Sequence, residues 1–258
     1  MSISKILPLS FRMFLVVAFL TILLAGCFPD HLQSTFDPKG PVAAMQLTLF
    51  YWIFWPMVLV MVAVLGVLLY IVVRFRRRPG DTAIPKQVHG HRTLEIVWTI
   101  PPLIVLAIAA VPATTTLFEL DQPPAGALEI NVTGHQWWWE FEYPEYGIVT
   151  ANEMHIPVGR AVSLKLTSAD VIHSFWVPKL GGKQDVVPTR ENPLWFQADE
   201  PSPSAGYYGQ CAELCGVSHA NMKLRVFAEH APEFNLWVEQ QRTTPPAGDE
   251  LEGLAAEG

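Results

Sequence analysis

The chain has 258 residues, of which 50% are hydrophobic and 16% are charged, and its formal net charge is −7. Its mean hydropathy of +0.26 is high for a soluble protein, so the composition favours a membrane protein with one sizeable domain. The charge is uneven, since residues 1–118 carry a net +5 and residues 119–258 a net −12. An acidic second half disfavours nucleic acid as a partner and favours a basic macromolecule.

The N-terminus has the pattern of a bacterial secretory signal. Lys5 and Arg12 precede an apolar stretch from Met13 to Ala25, and Gly26 and Cys27 follow. This arrangement predicts a lipoprotein-type signal over residues 1–26, with Cys27 as the lipidated first residue of the mature chain. The alternative is an uncleaved additional membrane segment in which this cysteine is incidental.

Two charge-free runs are long enough to cross a bilayer as helices, although a buried core helix is the alternative for each. We predict transmembrane helices at residues 47–73 and 95–118, with residues 27–46 outside the cytoplasm. The connecting residues 74–94 are rich in arginine, which places them on the cytoplasmic side. The second run contains three prolines, which membrane helices tolerate when neighbouring groups satisfy the backbone. Both outer ends therefore face away from the cytoplasm.

The rest of the chain predicts an all-β domain. Residues 119–127 have the composition of a linker, and residues 128–230 contain short β-branched runs separated by proline and glycine, typical of a β-sandwich or barrel. Residues 231–258 are predicted to be a polar C-terminal tail. The runs that we predict as strands are residues 128–133, 153–156, 161–167, 171–177, 194–198 and 223–229.

A cluster of metal-binding residue types lies near the end of this domain. Cys211, Cys215, His219 and Met222 fall within twelve residues. Sulfur and imidazole ligands suit copper, and a weak methionine ligand is typical of electron-transfer copper sites. Two cysteines at this spacing can both bridge a pair of copper ions. His173, in an apolar strand-like run, is the candidate for a further imidazole ligand.

Other interpretations of this cluster remain open. Cys211 and Cys215 could form a disulfide with Met222 as core filler, or they could bind zinc together with His173 and His219. Neither alternative explains Met222 at its spacing. A protein that delivers or senses copper is a third possibility, although such proteins usually have fewer ligands.

Aromatic and acidic residues are concentrated in a short segment after the linker. The three tryptophans at residues 137–139 cannot all face one core, because neighbouring strand side chains point to opposite faces. With Glu140, Glu142 and Glu145 beside them, they predict a docking patch for a partner protein. The alternative is that the rings pack the domain onto its membrane arm.

Together these motifs resemble subunit II of the haem-copper cytochrome c oxidases, from about residue 47 to residue 228. The sequences that carry the resemblance are Glu95-Ile-Val-Trp-Thr-Ile-Pro101, Gly134-His-Gln-Trp-Trp-Trp139, His173-Ser-Phe-Trp-Val-Pro178, Lys183-Gln-Asp-Val-Val-Pro188 and the segment from Gly209 to Met222. The resemblance implies a two-helix transmembrane hairpin followed by a cupredoxin-like Greek-key β-sandwich in a bacterial cell membrane. It also implies a mixed-valence dinuclear copper centre, called CuA, on the outer side.

The copper ligands of that family fall on six positions of this chain, which are His173, Cys211, Glu213 through its backbone carbonyl, Cys215, His219 and Met222. By the resemblance, the cysteines bridge both ions and each histidine binds one. The Glu213 side chain is expected to reach a magnesium or manganese ion at the junction with subunit I, since a hard carboxylate suits such ions.

The resemblance also assigns roles outside the ligand set. Trp137 matches the tryptophan that takes the electron from cytochrome c, and the three nearby glutamates match docking acids. Glu95 matches an acid at the mouth of a proton-uptake path, although it could be an ordinary interfacial carboxylate.

The resemblance implies that electrons pass from cytochrome c to haem in subunit I, where oxygen is reduced to water and protons are pumped. Quinol-oxidising relatives lack the copper ligands, so their presence favours cytochrome c as the donor. No Cys-x-x-Cys-His haem motif occurs, and we therefore expect a separate donor protein. Nitrous oxide reductase, which also contains CuA, is disfavoured because it has no place for the two-helix arm.

Overall fold

The computed structural model describes residues 9–25, 31–77, 79–80, 87 and 89–243. Cys27 and the end of the predicted tail lie outside the described residues. Helix α1 (Leu9–Ala25) contains the apolar part of the predicted signal.

Two long helices, α2 (Pro41–Arg74) and α3 (Arg92–Asp121), form an antiparallel pair. Within the described residues, they are the two helices that are long and apolar enough to cross a membrane. At 1.5 Å per residue they extend about 50 and about 45 Å, which exceeds the ~30 Å hydrocarbon core of a bilayer. Both helices are longer than the predicted spans of residues 47–73 and 95–118. Helix α2 starts six residues earlier, and α3 continues for three residues more at both ends.

The outer domain consists of two five-stranded sheets. The strands are β1 (Leu128–His135), β2 (Trp138–Tyr143), β3 (Ile148–Ala151), β4 (Glu153–Pro157), β5 (Val162–Ser168), β6 (His173–Trp176), β7 (Gln184–Val186), β8 (Asn192–Phe196), β9 (Tyr207–Cys211) and β10 (Lys223–Glu229). The first sheet has the order β3-β2-β1-β5-β8 and the second the order β4-β10-β9-β6-β7. The β1–β5 and β4–β10 pairs are parallel, and the other pairs are antiparallel.

The inner faces of the two sheets form the hydrophobic core. Strand β2 shows the alternation that builds it, because Trp139, Phe141 and Tyr143 are fully buried while Trp138 and Glu142 lie on the other face. The structure thus confirms the predicted hairpin followed by a β-sandwich. It also agrees with the expectation that the three consecutive tryptophans cannot share one core.

The sandwich extends past the predicted domain end at residue 230. Residues 231–243 form helix α4 (Ala231–Thr243), whereas the sequence predicts a polar tail there. Phe234, Trp237 and Val238 are buried in the main core. Their i, i+3, i+4 spacing makes a narrow apolar stripe on a helix whose other residues are mostly polar, and that stripe packs the helix onto the sheets.

The outer end of the helical pair is attached to the domain. Val42, in the first turn of α2, packs with Ala161 and Trp195, and the Trp195 indole donates a hydrogen bond of 3.0 Å to the Leu120 carbonyl of α3. The contact with Val42 places the first turn of α2 against the domain, and Pro41 stands at the start of the helix, where proline is tolerated.

Ion pairs before α2 reinforce this attachment. Lys39 lies 2.6 Å from Glu200, and Lys179 lies 2.6 Å from Asp37. The hydrogen bond from Lys179 holds the pKa of Asp37 below its ordinary value, so the Asp37 carboxylate is charged at neutral pH.

Candidate metal centre

Strand pairing brings distant parts of the chain to one end of the second sheet. His173 begins β6 and Cys211 ends β9, and these neighbouring antiparallel strands align Phe175 with Cys211. Met222 immediately precedes β10, and its carbonyl accepts a 2.9 Å hydrogen bond from the Cys211 amide. The ladder therefore places three of the predicted ligands together.

The predicted sulfur and imidazole ligands form a compact group. The two cysteine Sγ atoms are 3.8 Å apart, and His173 Nδ1 lies 3.9 Å from Cys211 Sγ. On the other side, His219 Nδ1 lies 3.5 Å and Met222 Sδ 3.8 Å from Cys215 Sγ. The ligand atoms of His173, Cys211 and Cys215 all lie within 4.8 Å of one another, as a shared metal requires.

Glu213 contributes to this group through its backbone. Its carbonyl oxygen is 3.2 Å from Cys211 Sγ, whereas the residue as a whole is exposed. The carbonyl therefore faces the sulfurs although the residue is open to solvent.

The residues fit a soft metal. Both cysteines are free, and their 3.8 Å separation is well beyond the ~2.05 Å of a disulfide. Sulfurs this close can both contact one ion at ~2.3 Å. Burial, followed by the neighbouring Cys211, raises the pKa of Cys215 to about 11. A bound cation has to displace this proton, and its charge would stabilise the thiolate.

The imidazole of His173 is held from three sides. Its Nε2 lies 2.8 Å from Asp170 Oδ1, which leaves Nδ1 with its lone pair toward the sulfurs. The ring of Trp139 meets it edge-on at 5.9 Å between centroids. A Cβ atom on Gly134 would lie only 2.9 Å from His173 Cδ2, so the backbone of β1 closes the remaining side.

Trp137 lies in the two-residue turn that joins β1 to β2. It is half-buried, and its ring lies against Gly216, where a Cβ atom would come within 3.2 Å of Trp137 Cζ2. The preceding side chain, Gln136, donates a 2.7 Å hydrogen bond to the Cys215 carbonyl. The structure thus brings Trp137 against the loop that carries the cysteines.

The three predicted docking acids differ in their surroundings. Glu140 lies 3.6 Å from His135, and Glu142 accepts a 2.8 Å hydrogen bond from Asn131. These two glutamates share the outer face of β2. Glu145 lies beyond the strand and pairs with Arg160 at 3.3 Å, so part of its charge is offset.

Glu95 lies far from this group, in the first turn of α3. Its carboxylate accepts a 3.2 Å hydrogen bond from the His91 amide, and His91 Nδ1 in turn accepts one from the Leu94 amide. This reciprocal arrangement caps the helix. The side chain therefore has a structural role, whether or not it serves a proton path.

Exposed apolar side chains surround the ligand group. Leu214 and Val217, between the ligands of the long loop, are 78% and 97% exposed, and Val171 and Ile172 precede His173 with 38% and 48% exposure. Such patches typically mark contact with another protein or a membrane.

Four residues around the group, Gly134, Gln136, Asp170 and Gly216, were not predicted from the sequence to belong to it.

Comparisons with known proteins agree with this architecture. Residues 148–228 match the family described as cytochrome c oxidase subunit II, periplasmic domain, and residues 29–115 match its transmembrane domain. These matches also confirm the cupredoxin-like class.

Two curated relatives and one solved structure illustrate the similarity. Cytochrome c oxidase subunit 2 of Alkalihalophilus pseudofirmus is 44% identical over 232 residues, which is 88% of this chain and 67% of that protein. Quinol oxidase subunit 2 of Bacillus cereus is 32% identical over 250 residues, covering 95% and 81%. The periplasmic domain of subunit II of cytochrome oxidase from Bradyrhizobium japonicum is 36% identical, with a TM-score of 0.44, covering 46% of this chain and 96% of that one. The chain therefore belongs to the cytochrome c oxidase subunit II family, whose members are subunits of haem-copper oxidases.

Proposed function

We propose that this chain is the electron-accepting subunit of a bacterial cytochrome c oxidase. It would hold a dinuclear copper centre, take electrons from cytochrome c and pass them to haem in subunit I, where oxygen is reduced to water and protons are pumped. The observation that carries the proposal is the pair of cysteine sulfurs 3.8 Å apart, with one imidazole nitrogen beside each.

The side chains have distinct roles in this proposal. When bound, the copper pair supplies one-electron transfer with its charge shared between the two ions. Both cysteines would hold the pair, His173 and His219 would each hold one ion, and Met222 and the Glu213 carbonyl would complete the set. Four of these side chains are buried, namely those of His173, Cys211, Cys215 and Met222. Ligands held in the core change their positions little between oxidation states, and this favours fast electron transfer.

A partner protein can approach the group closely. The exposed side chains of Leu214 and Val217 lie on the ligand loop itself, and Trp137 touches that loop at Gly216. Glu140 and Glu142 add negative charge on the outer face of β2, the strand that follows Trp137, and this charge would steer a basic cytochrome c toward it. These features support Trp137 as the point where the electron arrives.

The membrane arm supports the proposed orientation. The domain is attached at the start of α2 and the end of α3, while the arginine-rich connector lies at the opposite ends. Basic connectors favour the cytoplasm, so the domain would lie outside the bacterial cell membrane.

Further roles are proposed for three residues. The exposed Glu213 carboxylate would bind a magnesium or manganese ion shared with subunit I. Glu95 would mark the entrance of a proton path at the cytoplasmic side, and Cys27 would carry the lipid anchor.

Copper loading of the full chain in detergent tests the ligand assignment. We expect two copper ions per chain and a mixed-valence spectrum in which one unpaired electron is shared by both ions. One colourless Cu(I) per chain would instead support copper delivery, and tightly bound zinc would support a structural site. Either of those results would contradict the proposal.

The salt dependence of cytochrome c oxidation tests the docking acids. Replacing Glu140 and Glu142 by glutamine should flatten the dependence of the rate on ionic strength, because two charges facing the basic donor are lost. Glu239→Gln, which removes an exposed acid on helix α4, is the control and should leave the slope unchanged. An unchanged slope in the double variant would move the docking surface elsewhere.

A further inference from the structure

Asp170 connects the turn that carries Trp137 with His173, a candidate metal ligand. It lies in the loop between β5 and β6, three residues before His173. One carboxylate oxygen, Oδ1, lies 2.8 Å from His173 Nε2, and the other, Oδ2, accepts a 2.7 Å hydrogen bond from the Gln136 amide. A single carboxylate therefore contacts both a candidate ligand and the residue before Trp137.

The carboxylate is itself held in place. Its Oδ1 accepts a 2.6 Å hydrogen bond from the Val171 amide, and the Asp170 amide donates to the hydroxyl of Ser168 at 3.2 Å. Ser168 is buried and donates to the Val171 carbonyl, which closes the loop on itself. Burial raises the pKa of Asp170, but hydrogen bonds from His173, Val171 and Gln136 outweigh it and leave the pKa below its ordinary value. The loop thus presents a fixed acceptor with two usable oxygens.

The position of Trp137 depends on this backbone contact. Its indole nitrogen is buried and has no hydrogen-bond partner among the described residues. Only packing and the backbone of the turn therefore hold the ring. The turn has two polar attachments, from the Gln136 amide to Asp170 and from the Gln136 side chain to the Cys215 carbonyl. The first of these leads directly to His173.

We propose that Asp170 is a positioning residue that sets the geometry of electron uptake, because it ties the backbone beside Trp137 to the imidazole of His173. The inference rests on the proposed function and adds a residue that neither the ligand set nor the docking acids include. In the step concerned, the haem protein that donates loses one electron and the copper pair gains it. No bond forms or breaks, and Asp170 exchanges neither electron nor proton.

The test uses the full chain, loaded with copper in detergent, with the variants Asp170→Asn and Asp170→Ala. Asparagine keeps one acceptor oxygen and nearly the same shape. It can therefore serve either the Gln136 amide or the donors on the other side, His173 and the Val171 amide, but not both sides. Alanine serves neither. Glu239→Gln, which removes an exposed acid on α4, is the control for loss of one negative charge.

Three quantities are measured on each variant: the copper content, the hydrogen exchange rate of the Gln136 amide, and the first-order rate of electron transfer from saturating reduced cytochrome c. Saturation removes the effect of docking strength from the last rate. In Asp170→Asn we expect two coppers, exchange at Gln136 faster by about tenfold, and transfer slower by about tenfold. Asp170→Ala should show at least the same acceleration of exchange, and the control should match the parent protein.

Unchanged hydrogen exchange at the Gln136 amide in both Asp170 variants would overturn the inference. The contact from Gln136 through Asp170 to His173, called the bridge from here on, would then not hold the turn. Normal transfer in Asp170→Asn despite faster exchange would overturn it as well. Copper loss without faster exchange would limit Asp170 to supporting His173, which also contradicts the bridge. A parent protein that fails to bind two coppers would refute the proposed function, while the exchange rates would still report on the bridge by themselves.

Discussion

The two histidines of the candidate metal centre lie on different kinds of structure. His173 is fully buried at the start of a strand, where Asp170 and Trp139 contact its ring. His219 is half-buried in a short 3₁₀ turn, and within the described residues its side chain has Cys215 as its hydrogen-bonding neighbour. The strand side is therefore held by the core of the domain, and the loop side by the loop itself.

This difference predicts different roles for the two histidines. A ligand fixed by the core is positioned before the metal arrives, whereas a ligand on an exposed loop can face a partner protein. Substitutions on the strand side should therefore alter stability and metal binding together. Those on the loop side should alter electron transfer more than stability.

The two cysteine sulfurs lie between His173 and His219, so the loss of one sulfur should have the largest effect. In Cys215→Ser we expect the copper content to fall from two ions to at most one, because a hydroxyl is a poor bridging ligand for copper. Metal analysis and the loss of the mixed-valence spectrum would show this. Ser218→Ala, in the same loop, is the control and should keep both ions. A normal two-copper spectrum in Cys215→Ser would refute the ligand assignment.

On the strand side, Gly134→Ala should be the next most harmful change. The new Cβ would lie 2.9 Å from His173 Cδ2 and 3.3 Å from its Cγ, and the ring cannot retreat while Asp170 holds Nε2. We expect a loss of about 1–3 kcal/mol in unfolding free energy together with weaker copper binding. Denaturant unfolding and copper titration would measure both.

Thr133→Ala, one residue earlier on β1, should change stability by less than about 0.5 kcal/mol. If Gly134→Ala binds copper as tightly as the parent protein, then His173 is not held by the strand in the way described.

On the loop side, Gly216→Ala should act mainly on Trp137. Gly216 has φ of +125°, and a Cβ atom there would lie 3.0 Å from Gln136 Nε2 and 3.2 Å from Trp137 Cζ2. The backbone conformation alone should cost about 1–2 kcal/mol. We also expect slower electron transfer with both coppers retained.

Gly159→Ala is the matched control, because Gly159 also has a positive φ but a Cβ atom there would meet nothing within 4 Å. It should lose similar stability without slowing electron transfer. Equal transfer rates in the two variants would show that contact between Trp137 and Gly216 is unimportant.

Met222→Leu should have the smallest effect on stability. Methionine and leucine have similar volumes, so this fully buried position should lose less than about 1.5 kcal/mol. We expect two coppers but a changed midpoint potential, since the weak thioether ligand is gone. Met154→Leu, another buried methionine in β4, should leave the potential unchanged, and a redox titration of both variants would decide.

Much of the fold followed from local pattern. The six runs predicted as strands all overlap observed strands, and the two apolar runs are helices. Strand β2 was not predicted as a strand because its two tryptophans and alternating glutamates, directly after Trp137, suggested a surface patch, although the alternation itself is a strand signal. Helix α4 was missed because only three of its residues are buried.

At the candidate site, the ligand types were predictable but their supports were not. Asp170 was overlooked although an acid three residues before a ligand histidine is a recognisable second partner for the imidazole. Gly134 and Gly216 carry no such signal, because their importance comes only from the rings that lie against them.

The sequence by itself determined the ligand chemistry within the loop from Cys211 to Met222, since residues so close in the chain stay close in any compact fold. It also determined the two apolar spans, because their length alone matches a bilayer. Only the tertiary structure decided that His173, 38 residues before Cys211, meets it. Likewise it decided that Asp170, 34 residues after Gln136, contacts that turn. Such contacts depend on which strands pair and in which register, and register is set by the packing of the whole core.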